Sequence, residues 1–431
     1  MTGLSEPTAL EKTDLQLGFV PLSDCAPLVA AYEKGFFDQE GLQVTLCRER
    51  SWASIRDKTA FGVYDASQML YPMPLAATLG VGGPATAMVT ALCLSLGGNA
   101  ITVSEALHQQ MQEALDGEPL SENNSATAIA KVIHQRAADG QPPLTLGCVF
   151  PTSTHHYELR HWLRSAGVDC DLGVRLLVVP PPDMPDAMRA GQLDGFCVGE
   201  PWNSITVQRG WGRIVMTKHA LWNNGPEKVL GVTQAWGEQH PQTHQALLRA
   251  LIAAAAWCDA PDNREELARM IAAERYIDAP YEAVWPSMSG RLRFSQDGEA
   301  IYQPDFMAFH RYTANFPWVS HGRWFLKQMQ EAGQIDLDAE NTDNSTDPEA
   351  IAANAIRPDL YRTACAALGL PYPIIDHKPE GVHDAPWSLT QATAPILMGP
   401  DHMLDDQTFS TPSPPSPHPP TEAAGGTSRP S

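Results

Sequence analysis

Residues 148–167 read CVFPTSTHHYELRHWLRSAG, and place Thr154, His155 and His156 where an apolar strand breaks at Pro151 and a helical composition begins. Imidazole and hydroxyl groups at a strand-to-helix turn suit a metal site, a proton relay or capture of an anion. Zinc wants three or four converging ligands, and His155, His156 and His161 do not share one helical face. A relay needs a nucleophile beside a base, and GxSxG, HExxH, GxGxxG and GxxxxGKS/T are all absent. An anion is served by a helix start, with its unpaired N–H groups and the positive end of the macrodipole. SWASIRDKTAFG (51–62) is a second such start, with Ser51 as cap and Trp52 behind it.

The elements that position these starts alternate along the first half. LQLGFV (15–20), LQVTLCRE (42–49), AMVTALCLSL (87–96), LTLGCVF, VRLLVVPP (174–181) and LDGFCVGEPW (193–202) read as strands with helical stretches between them. Such alternation predicts parallel sheets with helices on both faces, and ligands at the carboxyl ends of the strands. From about 237 to 375 the chain reads as mostly helical. Residues 376–431 are expected to form a disordered tail, since the Pro/Ser/Gly-rich end buries too little apolar surface to offset ordering entropy.

A chain of 431 residues is long enough for two or three domains. A formal charge of −21, without Lys/Arg clusters, argues against direct nucleic-acid binding. The longest apolar helical run, 246–258, is too short to span a bilayer, and the N-terminus shows no secretory pattern, so a cytoplasmic protein is expected. The eight cysteines include no CxxC pair and read as small buried hydrophobes.

YEKGFFDQEGLQVTL (32–46), LGFVPLSDCAPL (17–28), RSWASIRDKT (50–59), STHHYELRHWL (153–163), VVPPPDMPDAMRAGQLDGFCVGEPWN (178–203) and LWNNGPEKVLGVT (221–233) together resemble the nitrate/bicarbonate-binding NrtA/CmpA-type family. The resemblance covers roughly residues 15–335 and implies a type II periplasmic-binding-protein-like α/β fold, two lobes with a ligand cleft and a helical C-terminal part. It places a flexible N-terminus at 1–14, the first part of lobe 1 at 15–103, lobe 2 at 104–229, and the return of lobe 1 with the helical part at 230–375. The crossings are expected near Thr102–Ser104 and Leu230–Gln234.

The resemblance also implies a site for nitrate or nitrite, with no cofactor, no metal and no catalysis. Trp52 would donate its indole N–H, His155 a ring N–H and Asn99 an amide hydrogen bond; Thr154 and Gly98 would line the site. Lys228 is expected to be its single full positive charge, with bare carboxylates kept away and Glu200 paired to a basic residue. At an effective dielectric of about 20, an ammonium about 4 Å from an anion is worth roughly 4 kcal/mol before desolvation. Without an export signal the chain resembles the cytoplasmic NasS-type sensor branch, whose partner is a NasT-type RNA-binding antiterminator. A substrate-binding component of a nitrate ABC transporter is the alternative, and an enzyme of the thiamine-pyrimidine type on the same fold ranks below both.

Overall fold

Apolar runs too short for buried helices pair into two mixed sheets in the computed structural model, which describes residues 9–338 and 347–411. The strands are β1 (Asp14–Phe19), β2 (Gln43–Arg48), β3 (Ala66–Leu70), β4 (Met88–Gly97), β5 (Asn99–Ser104), β6 (Leu144–Cys148), β7 (Val174–Val178), β8 (Gly195–Gly199), β9 (Gly212–Thr217) and β10 (Pro226–Thr233). The first sheet runs β4-β10-β3-β1-β2, with the short Met307–Ala308 strand beyond β4; the second runs β7-β6-β8-β5-β9. β1 pairs in parallel with β2 and β3, whereas β10 runs antiparallel between β3 and β4. In the second sheet β6 is parallel to β7 and β8, and β5 is antiparallel to β8 and β9. This is the two-lobed architecture expected of the chain.

The crossings fall earlier than the sequence suggests. β4 and β5 lie in different sheets with only Gly98 between them, so the first crossing is at Gly97–Gly98, and Thr102–Ser104 lies inside β5. The reason is steric: Gly97 and Gly98 have φ of 71° and 92°, and a Cβ on Gly97 would stand 2.2 Å from the Phe306 carbonyl oxygen. The return crossing lies between β9 and β10, because PEKVLGVT is entirely strand; Leu230–Thr233 is its far half.

The helical part packs mostly on the first lobe. The Pro241–Asp259 helix buries Leu247, Leu248, Leu251 and Ile252 as it lies against the Ala26–Glu33 and Pro358–Leu368 helices. Two expectations at the chain ends are corrected. Residues 9–13 are anchored: Glu11 accepts hydrogen bonds from the backbone of Gln242 and Thr243, and Lys12 Nζ lies 2.6 Å from Asp65. Residues 376–411 form a strap rather than a disordered tail, with a small hairpin, Trp387–Leu389 against Ile396–Met398, and bridges from Met403 to Trp222 and from Glu380 to Phe409. Composition misled here because a few apolar anchors, Leu389, Met398 and Met403, together with buried polar bonds hold the strap. The rest of the expected tail, 412–431, lies outside the described residues, as do residues 1–8. Among the described residues no helix is long and apolar enough to cross a membrane.

Candidate functional site

Both expected helix starts form. Ser51 caps the Trp52–Ala60 helix by accepting from Ser54 N–H, and Ser153 caps the Thr154–Ser165 helix by accepting from His156 N–H. The first belongs to lobe 1 and the second to lobe 2, and β10 brings Lys228 to the seam between them. Lys228 Nζ lies 5.5 Å from the centre of the Trp52 ring. Trp52, Asn99, His155 and Lys228 are all completely buried, so the two lobes are closed over the site.

Three of the expected residues hold donor-capable atoms at the seam. Trp52 Nε1 and His155 Nε2 are buried with no hydrogen-bond partner among the described residues. Leaving a buried polar atom unsatisfied costs about 1–3 kcal/mol, so two in one closed place mark somewhere a polar guest would be stabilised. Trp52 Nε1 is a donor, whereas the role of His155 Nε2, 3.6 Å from Glu227 Oε1, is set by the ring's tautomer. His155 is held neutral: burial pushes its pKa down to about 3, outweighing the nearby Glu227. Lys228 supplies the ammonium.

The other three expected residues are engaged differently. Gly98 donates its N–H to the Phe306 carbonyl and accepts from Glu200 N–H, which makes it a crossing residue. Thr154 donates to Glu227 Oε1 at 2.6 Å. Asn99 points its amide nitrogen at the Glu158 carboxylate, 3.0 Å away, so the atom it leaves unpartnered is the acceptor Oδ1. The expected amide donor is thus an acceptor, because the neighbouring carboxylate takes the N–H.

The electrostatics correct the expectation of one isolated cation. Lys228 Nζ lies 2.8 Å from Asp24 Oδ2 and 2.6 Å from Glu227 Oε1. A second buried ammonium, Lys218, lies 2.6 Å from Glu227 Oε2 and 2.7 Å from Glu158 Oε1. Three carboxylates and two ammoniums therefore alternate through the seam. Burial works against the charge on both lysines, but the carboxylates around them hold both pKa values above the ordinary lysine value. Burial pushes Glu227 up and the two ammoniums more than reverse it, leaving a firmly ionised carboxylate. Asp24 goes the other way: burial raises its pKa despite Lys228. Glu200 has no basic partner among the described residues; it accepts from Ser204 N–H at 3.1 Å, and burial lifts its pKa to about 7.

Glu227 and Lys228 are sequence neighbours on a strand, and a regular strand would send them to opposite faces. The pairing of β10 with β4 is shifted there: Pro226 faces Leu96 and Lys228 faces Ser95, two steps against one. This bulge brings both side chains to the same seam. The resemblance marks Lys228 alone, and nothing in the sequence announces this bulge. Asp24 had a signal that went unused, a lone acid in the apolar run FVPLSDCAPLV at the carboxyl end of β1. Glu158 follows Thr154 by four residues on one helix face. Lys218 carried no comparable mark.

A family model described as the NMT1-like family matches residues 8–272. The chain is 39% identical over 364 residues to the nitrate import ATP-binding protein NrtC of Synechocystis, which covers 84% of this chain and 51% of that protein. It thus spans about half the length of that relative. It is 32% identical over 379 residues to the nitrate/nitrite binding protein NrtA of the same organism, covering 86% of this chain and 80% of that protein. Among solved structures it matches the periplasmic nitrate-binding protein NrtA from Synechocystis, with a TM-score of 0.76, 29% identity, and coverage of 84% of this chain and 90% of the other.

Proposed function

The chain belongs to the NMT1-like family and is of the NrtA/CmpA type within it, and from that premise we propose that it binds a small oxyanion, nitrate or nitrite, between its two lobes. The observation that carries the reading is the pair of unpartnered buried nitrogens, Trp52 Nε1 and His155 Nε2, beside the Lys228 ammonium at the interlobe seam. A planar acceptor-only ion fits the Trp52 N–H and the Lys228 ammonium, and the His155 tautomer with its hydrogen on Nε2 adds a third donor on binding. Four heavy atoms at a ceiling of about −1.5 kcal/mol each give roughly −6 kcal/mol, a Kd of tens of micromolar. The site residues bind and orient, and none is given a catalytic role.

Closure around the ion supplies an output, since a ligand that favours the closed form shifts the surface offered to a partner. Following the sequence resemblance, that output is control of a NasT-type antiterminator by a cytoplasmic nitrate/nitrite sensor. The relatives favour a second reading, a binding module of an anion import system, because the proteins matched carry import and binding names. Calorimetry with nitrate, nitrite and bicarbonate tests the site: nitrate or nitrite should bind, and His155→Ala and Lys228→Ala should each weaken binding. Unchanged affinity in both variants would end this assignment. Co-purification with the neighbouring regulator, with and without nitrate, separates the sensor from the import module.

A further inference from the structure

The closed seam holds one more negative charge than positive. Asp24, Glu158 and Glu227 stand against Lys218 and Lys228, all five side chains being buried and His155 neutral. A monovalent anion placed on Lys228 would bring a second excess negative charge into a region without water. Its ammonium already faces two carboxylates, so the guest competes with them. Uncompensated buried charge is among the most destabilising arrangements in a protein, and a site relieves it by changing protonation.

The three carboxylates are not equally provided for. Glu227 receives Lys218, Lys228 and Thr154, all at 2.6 Å. Glu158 receives Lys218, the Asn99 amide and the Cys197 thiol. Asp24 receives Gln68 Nε2 on Oδ1, and on Oδ2 only the Lys228 ammonium, 2.8 Å away and shared with Glu227. Of the three it has the fewest donors.

We propose that binding of the oxyanion takes up one proton from solvent, and that Asp24 Oδ2 receives it. This rests on the oxyanion reading above. The step forms one O–H bond and breaks none in the protein. It removes the excess charge beside the guest and turns an acceptor into a donor, adding to Trp52 Nε1. The raised pKa of Asp24 agrees with this direction.

The groups facing Asp24 come from every element around it. Lys228 and Glu227 reach it from β10, and Lys218 from the return crossing, while Gln68 approaches from β3. Asp24 Oδ2 and Asn99 Oδ1 lie 3.5 and 3.3 Å from the place a Cβ would occupy on Gly199. Glu200 adjoins through its carbonyl, which accepts from Ser23 N–H at 2.7 Å. His155 and Glu200 are therefore the rival proton acceptors, each with an unpartnered atom.

The test is calorimetric titration of the full chain with sodium nitrate and sodium nitrite between pH 6 and 8, in paired buffers of different ionisation enthalpy. Wild type should take up one proton per anion, with affinity weakening about tenfold per pH unit as pH rises. Asp24→Asn should take up none, lose the pH dependence and bind about tenfold or more tightly than wild type at pH 8. His155→Gln and Glu200→Gln should keep the proton uptake. Wild-type binding without proton uptake overturns the inference, whether or not Asp24→Asn folds. Uptake that survives Asp24→Asn, or vanishes in His155→Gln or Glu200→Gln, overturns it too. Failure of the folded chain to bind any small oxyanion defeats the oxyanion reading itself, an outcome separable from binding without a proton.

Discussion

The interlobe ion cluster and the buried ion cluster under the strap differ in how their polar atoms are partnered. In the strap cluster, Glu380 accepts from His321 Nε2 at 2.8 Å, pairs with Lys378 Nζ at 2.5 Å and accepts from Trp222 Nε1 at 3.4 Å. Burial raises its pKa, but Lys378 and His321 more than reverse this and bring it to about 2. Asp401 nearby holds His383 at 2.7 Å and caps the backbone of Val382 and His383. The interlobe cluster has the same ingredients and leaves Trp52 Nε1, His155 Nε2, Asn99 Oδ1 and Asp24 Oδ2 without hydrogen-bond partners among the described residues. The strap cluster leaves only His321 Nδ1 over among the described atoms around Glu380, and with its carboxylate fully engaged it fastens a segment. Where donors and charge are left over, a cluster is built for a guest.

The largest break in this comparison should come from Lys228→Ala. It leaves Asp24 and Glu227 facing each other, which should lower stability by about 3–5 kcal/mol and abolish measurable nitrate binding. Chemical denaturation and calorimetry read the two effects. A variant of normal stability and normal affinity would put Lys228 outside the cluster.

Glu380→Ala should lower stability by about 3 kcal/mol and expose 376–411 to protease, while leaving anion affinity as it was. A shift in affinity as large as that in stability would join the two clusters into one device.

Glu200→Gln tests a fourth buried carboxyl, beside the interlobe cluster, through pH. A folded-state pKa of about 7, above the ordinary glutamate value of 4.5, means that the fold prefers Glu200 protonated. Its contribution is present in full below pH 4.5 and is lost as pH rises through 7. The glutamine should therefore match wild type near pH 4 and exceed it at pH 8 by up to roughly 3 kcal/mol. Equal stabilities at both pH values would mean that Glu200 ionises freely.

Trp52→Phe removes an unpartnered donor and keeps most of the packing. Thermal melting should show unchanged or higher stability, while nitrate affinity falls about tenfold, the scale of one hydrogen bond to a charged group. The smallest effect belongs to the rim. Arg50 and Asp183 form an exposed pair 2.6 Å apart across the two lobes, and Arg50→Ala should shift stability by less than about 1 kcal/mol.

Local rules were enough for much of this. Ser51 and Ser153 were readable as caps, because a hydroxyl before a helical segment has a backbone N–H to satisfy. The strand runs and the two-lobed class followed from alternation and from the family stretches. The placement of Trp52, His155 and Lys228 at one seam came from those stretches and not from periodicity. The strap escaped because Glu380, His321 and Lys378 are ordinary polar residues until they are brought together, and nothing in a Pro- and Asp-rich stretch announces a buried carboxylate.

The sequence by itself determined which segments become strands, where two helices begin, and that an indole, an imidazole and an ammonium are available near those beginnings. Only the tertiary structure decided what each of them faces. A bulge in β10 turned Glu227 to the same side as Lys228, the glycine crossing set Asn99 against Glu158, and closure of the lobes excluded solvent from all of them. Hydrogen-bond engagement and charge balance depend on distances between residues far apart in the chain. That is why the donors were legible one by one and their unequal satisfaction was not.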